Sequence, residues 1–452
     1  FIFLRMRRTV SLTKGLNLNL EGGLTSKESV GKACVGRVAV VPDDFPGFVP
    51  KLDVKEGDKV SIGSPLLHDK NDPSVRLVAP AAGVVEAVVR GARRKIERVV
   101  IAVDAAECQV ETRKPFAGAD ADTVRRALAE SGLWAMMRQR PFDVVPNSAV
   151  KPKAIMVTAM DTAPLALPLE ESVSGKTAEL KAGIEVLRTL CSGPIYIGVE
   201  RGSSLPDFDG VEMVEFPRLH PAGNAGVQIA NIDPVNKGEV VLTLDIVTLV
   251  RIGSLALTGK PDWTVEVAVT GSEVEHPQVV TAVAGAEMTA LVGGNVKDDG
   301  RHHRVISGNV LTGVPVGEDG FLRYPYRQVT VIPEGDDADE FMGWASMSPS
   351  KMSVSPSFIG RFLRRKFSPD ARLNGGRRAM IMSGEYDKVF PMDILPEYLV
   401  KAILAKDIDR MEALGIYEVA PEDFALAEYV DPSKLELQKI VREGLDYLRN
   451  EV

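Results

Sequence analysis

The sequence predicts a multidomain chain of mixed α/β and α+β class, and three observations carry this prediction. Short β patterns between Val49 and Val103 are interrupted by glycines at tight turns. From Ala154 onward, apolar runs of strand length alternate with a helical pattern, as in a parallel sheet. The end of the chain shows apolar residues at three- and four-residue spacings, the period of amphipathic helices. The length of 452 residues suits about three domains.

The first predicted domain, residues 49–105, is a barrel like that of lipoyl and biotinyl carriers. It follows a leader with short strands, residues 1–48. Glycines punctuate both halves of the pattern, at Gly57, Gly63, Gly83 and Gly91. In carriers, a lysine on the hairpin between the halves normally holds the prosthetic arm. Here the hairpin reads His68-Asp69-Lys70-Asn71-Asp72, without a Met-Lys-Met or Asp-Lys-Ala tip. The sequence therefore predicts a carrier scaffold that has lost its cargo.

Residues 106–258 predict a Rossmann-like parallel sheet. Asp122 is the expected N-cap of a first helix, which Gly132 ends. The predicted elements are strands at 154–158, 195–199 and 211–216, with a helix at 177–190. The apolar segment Val240–Leu257 has helical character and is expected to be interrupted at Gly253.

Two further domains complete the expected organisation. Residues 259–335 alternate as half-buried strands do, at 264–269 and 327–332, and include one short helix near 288–292. Residues 336–452 predict a helical domain. Its expected helices are 395–404, 407–414, 421–429 and 433–450.

Composition excludes several classes of function. The net charge of −8 and the pI near 5.4 argue against a nucleic-acid partner. Cys34, Cys108 and Cys191 form neither a disulfide framework nor a C-x-x-C motif. No apolar run is long enough to span a bilayer, so a membrane role is expected to come through partners. The opening residues are too short for a signal peptide, and Met6 is a candidate for the true start.

No cofactor or metal site is predicted. After the strand at 154–158 comes Ala159-Met160-Asp161, and the chain contains neither G-x-G-x-x-G nor G-x-x-x-x-G-K-S/T. A Rossmann-like sheet without a competent dinucleotide or flavin site is therefore expected. The histidines lack metal-ligand spacing, and His302-His303 beside Arg301 and Arg304 indicate an exposed, charged strand edge.

Two features leave alternatives open. The glycine-rich loop from His220 to Gly226 is either a cradle for an anionic or quinoid ligand or a simple turn between elements. A local basic cluster either faces anionic lipid or an acidic partner subunit, or is a solvated surface. Its members are Arg361, Arg364, Arg365, Lys366, Arg372, Arg377 and Arg378.

Specific strings, spread in order over nearly the whole chain, resemble one family, the NqrA subunits of the bacterial Na+-translocating NADH:quinone reductase. The strings are Lys14-Gly15-Leu16, Leu67-His68-Asp69-Lys70, Ala79-Pro80-Ala81-Ala82-Gly83, Ser131-Gly132-Leu133-Trp134, Arg140-Pro141-Phe142, Val157-Thr158-Ala159-Met160-Asp161, His220-Pro221-Ala222-Gly223, Ile232-Asp233-Pro234-Val235, Arg304-Val305-Ile306-Ser307-Gly308, Gln328-Val329-Thr330-Val331-Ile332-Pro333-Glu334-Gly335, Asn374-Gly375-Gly376-Arg377-Arg378-Ala379-Met380 and Pro391-Met392-Asp393-Ile394-Leu395-Pro396.

The resemblance implies four parts: a carrier-like barrel-sandwich hybrid, a Rossmann-like domain, a ubiquitin-like β-grasp domain of the SLBB kind, and a helical domain. It implies a peripheral subunit on the cytoplasmic face of the inner membrane, with subunits B to F as partners. That complex passes electrons from NADH to ubiquinone and pumps Na+. Its FAD, FMN, riboflavin and iron–sulfur centres belong to other subunits in the family, and the NqrA subunit has been linked to quinone.

One departure from the family concerns the tail. Relatives carry cysteines where this chain has Ala427 and Asp431. Cluster-binding relatives need four cysteines for each cubane, so this tail cannot hold iron through thiolates. The tail is expected to be a vestigial cluster-domain fold.

The function expected from these observations is a structural and docking subunit that binds no cofactor of its own and contributes no catalytic or metal-binding residue. The expected quinone contacts are Trp134, Phe142, His220 and Gly223. The alternative is a flavin- or NADH-binding electron-transfer subunit of an assembly like the Rnf complex or complex I.

Overall fold

A computed structural model describes residues 7–104, 106, 109–336, 345–348, 351–355, 357–363 and 365–451. Numbered along the chain, the strands are β1 (Arg8–Thr9), β2 (Ser29–Lys32), β3 (Arg37–Val40), β4 (Pro50–Leu52), β5 (Lys59–Val60), β6 (Pro65–Asp69), β7 (Arg76–Val78), β8 (Gly83–Arg90), β9 (Ile96–Val103), β10 (Arg138–Arg140), β11 (Ala154–Thr158), β12 (Ile195–Glu200), β13 (Glu212–Phe216), β14 (Val241–Asp245), β15 (Thr264–Thr270), β16 (Gln278–Val283), β17 (His303–Ser307), β18 (Val314–Pro315) and β19 (Gln328–Pro333).

The α-helices are α1 (Ala121–Glu130), α2 (Leu169–Ser172), α3 (Thr177–Leu190), α4 (Ala225–Ile232), α5 (Ile246–Thr258), α6 (Met288–Val292), α7 (Pro396–Leu404), α8 (Ile408–Ala413), α9 (Ala425–Val430) and α10 (Leu437–Glu451). None of the helices in the described ranges combines the length and the apolar character needed to cross a membrane.

Two small sheets form the barrel-sandwich hybrid, with strand orders β3-β9-β8-β5 and β4-β6-β7. Their facing sides bury Leu66, Leu77 and Ile101 completely or nearly so. The turn between β6 and β7, where a carrier would display its lysine, is fixed to the α/β domain. Asp72 Oδ2 accepts a 2.8 Å hydrogen bond from the backbone N–H of Ser148. The tip of this hairpin is thus docked onto its neighbour.

The second domain is built on a six-stranded sheet of order β1-β13-β12-β11-β14-β10, parallel except for the edge strand β10. The strands β11, β12 and β13 and the helix α3 lie where the apolar runs predicted them. Because β11 neighbours both β12 and β14, the strand order reverses between β11 and β14. This reversal is the topological switch point at which α/β sheets bind ligands.

Two predictions in this domain were wrong in detail. The segment 240–257 contains strand β14 followed by helix α5, which continues through Gly253. A Cβ at Gly253 would lie 1.8 Å from the carbonyl oxygen of Glu179 in α3, so this glycine permits close helix packing and is not a break. The cap of α1 is Asp120, whose carboxylate accepts from the N–H groups of Asp122 and Thr123. Asp122 itself lies inside the helix.

The third domain is a mixed six-stranded sheet of order β18-β17-β19-β15-β16-β2, with the single helix α6 packed on it, as a β-grasp domain requires. The segment expected as a leader supplies one strand to each of three sheets. Strand β1 pairs with β13, β2 with β16, and β3 with β9. The beginning of the chain therefore ties the first three domains together.

The C-terminal domain packs α7, α9 and α10 around Leu399, Phe424, Val441 and Leu445, all fully buried. The helix expected at 421–429 is a short 3₁₀ turn, Pro421–Phe424, followed by α9. The helix expected from Ser433 begins only at Leu437. It begins late because Asp431 holds the preceding turn, accepting hydrogen bonds from the N–H groups of Ser433 and Leu435.

Candidate functional site

A cavity of about 200 Å³ opens at the switch point of the α/β sheet, beyond the carboxyl ends of β11 and β14. Thr158 and Asp245, which end these two strands in register, both line it. The cavity shares these residues with an adjoining cleft of about 430 Å³. The β-grasp domain contributes Tyr326 to both, and the helical domain contributes Glu422. Three domains therefore enclose one site.

His220 lies on the wall of this cavity and is only 4% exposed. Its Nδ1 lies 3.1 Å from Thr162 Oγ1, which accepts a 2.9 Å hydrogen bond from the N–H of Gly223. A hydroxyl group can donate or accept, so either ring nitrogen of His220 can carry the proton of the neutral imidazole. Burial lowers the pKa of His220 to about 4, so the imidazole is neutral at physiological pH.

Asp245 connects the sheet to the β-grasp domain at the floor of the cavity. One carboxylate oxygen caps α5 by accepting from the N–H of Thr248 at 2.7 Å, and the other accepts from Arg327 at 2.9 Å. Burial acts to raise the pKa of Asp245, but the Arg327 guanidinium outweighs it and holds that pKa below the usual range. Arg327 is consequently occupied by Asp245.

Glu422 lines the cavity from the helical domain, next to a buried arginine. Arg140, 1% exposed, donates to Glu422 Oε1 at 2.9 Å and to Asp423 Oδ2 at 3.3 Å. Desolvation in the cleft raises the pKa of Glu422 to about 7; Asp423 adds to the rise and Arg140 opposes it. In its protonated form this carboxyl group can donate a hydrogen bond.

The charges around the cavity determine what it can hold. The carboxyl groups of Asp161, Asp245 and Glu422 all line it, and the turn after β11 has no glycine to admit a phosphate. A nucleotide pyrophosphate would therefore find no glycine cradle after β11, and Arg327 is already engaged by Asp245. A neutral ring with carbonyl oxygens suits the site better, since His220 and protonated Glu422 are both hydrogen-bond donors.

Comparisons with known proteins cover nearly the whole chain. The family models described as the NqrA N-terminal barrel-sandwich hybrid domain, the NqrA second alpha/beta domain and the NQRA C-terminal domain match residues 10–104, 119–261 and 266–317. The NqrA subunit of the Na+-translocating NADH-quinone reductase of Pasteurella multocida strain Pm70 is 36% identical over 98% of this chain and 100% of its own length. The chain belongs to this family of reductase subunits. The resemblance found in the sequence is thereby confirmed.

Other relatives of the same name are equally similar. Those of Neisseria meningitidis serogroup B and Rhodopirellula baltica are each 36% identical, covering 98% and 99% of this chain and all of their own length. Among solved structures, an NAD+-reducing nickel-iron hydrogenase in the air-oxidized state matches 47% of each chain at 15% identity, with a TM-score of 0.35. The family models also confirm the predicted fold class.

The structure brings together two of the four expected quinone contacts. His220 and Gly223 line the cavity. Trp134 lies elsewhere, 1% exposed in the core, with its indole Nε1 donating to the carbonyl of Pro146 at 2.8 Å. Phe142 packs edge-on against Tyr417 of the helical domain, with ring centroids 6.1 Å apart. Trp134 and Phe142 therefore contribute to packing.

Sequence reasoning missed Asp245, Arg327 and Glu422. A signal existed for Asp245, because it ends an apolar run of strand length and begins a helix. The prediction of one continuous helical segment over Val240–Leu257 placed Asp245 inside that helix, so the end of the strand was not recognised. Arg327 and Glu422 lie in other domains, and only the packing of those domains brings them to the cavity.

The histidine pair was predicted to form an exposed strand edge, and this was wrong for one member. His302 is exposed and contacts Asp336 at 2.7 Å. His303 is almost buried between two carboxylates, with Nδ1 3.3 Å from Glu273 Oε2 and Nε2 3.5 Å from Asp299 Oδ1. The alternation of β17 turns this side chain inward.

The basic cluster is only partly a free surface. Arg372 pairs with Asp370, and Arg377 pairs with Glu436 at 2.7 Å. Arg365 lies over the ring of Phe367. Arg364 and the side chain of Arg361 lie outside the described residues.

At the two tail positions singled out in the sequence, Ala427 and Asp431 are both fully buried. Asp431 holds the turn before α10, and Ala427 is part of the apolar core. Burial, together with the neighbouring carboxylate of Asp431, raises the pKa of Tyr386. The two positions thus have structural contacts in this chain.

Proposed function

We propose that this chain serves as a peripheral subunit of a Na+-translocating NADH-quinone reductase, where it organises partner subunits and contacts quinone at the switch-point cavity. In this proposal the chain lies on the cytoplasmic face of the membrane, held there by subunits B to F. The flavins, the iron–sulfur centre and the binding of NADH belong to those partners. This chain supplies no catalytic residue.

The observation that carries the quinone proposal is the neutral, buried His220 at a cavity lined by carboxyl groups. A quinone carbonyl accepts hydrogen bonds but carries no charge, so it can accept from the ring N–H of His220 without opposing Asp161 or Asp245. Glu422, with a pKa of about 7, supplies a second donor when protonated. A phosphate-bearing cofactor would need a free cation, and Arg327 is already paired with Asp245.

The assembly role is supported by the barrel. A carrier needs a free hairpin tip that can move between active sites. Here Asp72 and Ser74 fasten that tip to Ser148, through hydrogen bonds of 2.8 and 3.2 Å. A fixed barrel offers a rigid surface for partner subunits.

The alternative function is a flavin- or NADH-binding electron-transfer subunit. It requires a phosphate cradle that the turn after β11 lacks. The two proposals differ in a simple observable, because a flavin-loaded chain is yellow. We expect the purified chain to be colourless.

Calorimetric titration of the full chain with a short-chain ubiquinone tests the quinone proposal. We expect saturable binding that His220→Leu weakens about tenfold, the loss expected from removing one buried hydrogen-bond donor. His302→Leu is the matched control, because this exposed histidine belongs to the β-grasp edge. Equal affinities in wild type and both variants would remove His220 from any quinone site, and the absence of saturable binding would overturn the proposal.

A further inference from the structure

A second cleft, of about 650 Å³, lies in the C-terminal domain and shares no lining residue with the quinone cavity. Its walls are the described residues of a serine-rich segment, 353–355 and 357–358, the glycine pair Gly375-Gly376 and the turn 430–434 after α9. The cleft combines cationic side chains, hydroxyl groups and open glycine backbone. None of these features takes part in the function proposed above.

Two cations of the cleft lack a counter-charge. Within the described part of the chain, neither Arg378 nor Lys434 has a carboxylate oxygen within 4.0 Å of its charged nitrogens. Lys388, on the same wall, is by contrast paired with Glu385 at 2.6 Å. The difference marks Arg378 and Lys434 as available for an anion.

The fold holds these two cations together. The backbone N–H of Arg378 donates to the carbonyl of Ser433 at 2.8 Å, which places it beside Lys434. The nearby carboxylate of Asp431 is directed at the backbone N–H groups of Ser433 and Leu435. Burial and the charge of Arg378 both lower the pKa of Lys434, while Asp431 opposes them. Two like charges in a half-enclosed cleft are costly unless an anion binds between them.

The remaining walls supply neutral donors and an apolar side. Gly375 has a φ of +109°, and the space where a Cβ of Gly376 would lie is open, so the backbone can approach a ligand closely. Ser353 and Ser355 add hydroxyl groups. Phe358 and Val430 form an apolar wall that suits the organic part of a small molecule.

We propose that this cleft binds a phosphate monoester, with Arg378 and Lys434 contacting the dianion and the Gly375-Gly376 backbone and Ser355 hydroxyl completing the cradle. A phosphate monoester carries close to two negative charges at neutral pH, which matches two free cations. The guanidinium of Arg378 can form the paired hydrogen bonds that phosphate oxygens favour. The ligand is either a soluble phosphomonoester or the headgroup of a phosphatidic acid.

Calorimetric titration of the full chain with glycerol 3-phosphate tests the proposal. We expect saturable binding that Arg378→Gln weakens about tenfold or more, because a charge-assisted pair is lost. Arg377→Gln is the matched control, since the neighbouring arginine is already paired with Glu436. Lys434→Gln and its control Lys439→Gln repeat the comparison if Arg378→Gln does not fold.

Vesicles of phosphatidylcholine with and without phosphatidic acid distinguish the two sources of phosphate. Binding of glycerol 3-phosphate alone supports a soluble ligand, and binding only to vesicles with phosphatidic acid supports a lipid headgroup. In either case the Arg378→Gln variant should lose the interaction. Equal weakening by Arg377→Gln, or no saturable binding to either probe, would overturn the proposal.

Discussion

Arg140 offers the sharpest test of how the domains are joined. It ends strand β10 of the α/β domain and is fully enclosed, whereas its partners Glu422 and Asp423 belong to the helical domain. Asp143 is a third acidic neighbour, 3.7 Å from Nε. Replacing Arg140 by methionine keeps much of the side-chain volume and removes the cation that these three carboxylates share. Asp423, with no exposed side-chain surface, is then left as an unpaired buried carboxylate.

Removing one partner of a buried ion pair typically costs about 3–5 kcal/mol of unfolding free energy, and we expect Arg140→Met to lie in that range above neutral pH. The loss should shrink as the pH falls. Burial already raises the pKa of Glu422 to about 7 and that of Asp423 above its ordinary value, and removing Arg140 raises both further. A carboxyl whose folded pKa exceeds its unfolded pKa loses stability as the pH rises through the folded value. Acidic pH therefore neutralises the unpaired groups.

Urea unfolding of the full chain at several pH values measures this effect. The surface pair between Arg304 and Glu334 supplies the control, because Arg304→Met should change stability by no more than about 1 kcal/mol. Adding Asp423→Asn to Arg140→Met should recover part of the loss. If Arg140→Met is as mild as the control, or if its cost grows toward acidic pH, the electrostatic reasoning is refuted.

Two further predictions concern corrected elements of the α/β domain. Gly253→Ala should destabilise the chain by about 1–3 kcal/mol in urea unfolding, because its Cβ would overlap the backbone of α3, whereas Ser254→Ala on the same helix should be nearly neutral. A Gly253→Ala variant as stable as the wild type would show that α3 and α5 can move apart without loss of unfolding free energy. Asp120→Ala should lower the urea midpoint through loss of the cap of α1, and Asp122→Ala should lower it less. Equal losses of stability in the two variants would contradict Asp120 as the cap of α1.

Local patterns predicted much of the fold. The strands β11, β12 and β13 and the helix α3 were found because period and length distinguish buried strands from helices. Val240–Leu257 was misassigned since a buried strand and a buried helix joined without a turn residue form one continuous apolar run. Gly253 looked like a break, but its role depends on a carbonyl of another helix that sequence spacing does not reveal.

The candidate site was only half predictable for a related reason. His220 and Gly223 share a loop whose glycines are visible in the sequence. Arg327 and Glu422 approach them from two other domains, and no local pattern reports such an approach. Trp134 is predicted as a quinone contact because it is aromatic. A buried tryptophan whose indole N–H donates to the backbone is equally common in a hydrophobic core.

The pH dependence of quinone affinity tests the central claim most directly, because it links the ligand to a named group of the cavity. We predict that the affinity of the full chain for a short-chain ubiquinone falls as the pH rises through about 7, as Glu422 loses its proton. In Glu422→Gln, which keeps a hydrogen-bond donor at every pH, this dependence should disappear. NADH titrated under the same conditions should not compete. Competition by NADH, or a pH profile shared by wild type and Glu422→Gln, would contradict the account.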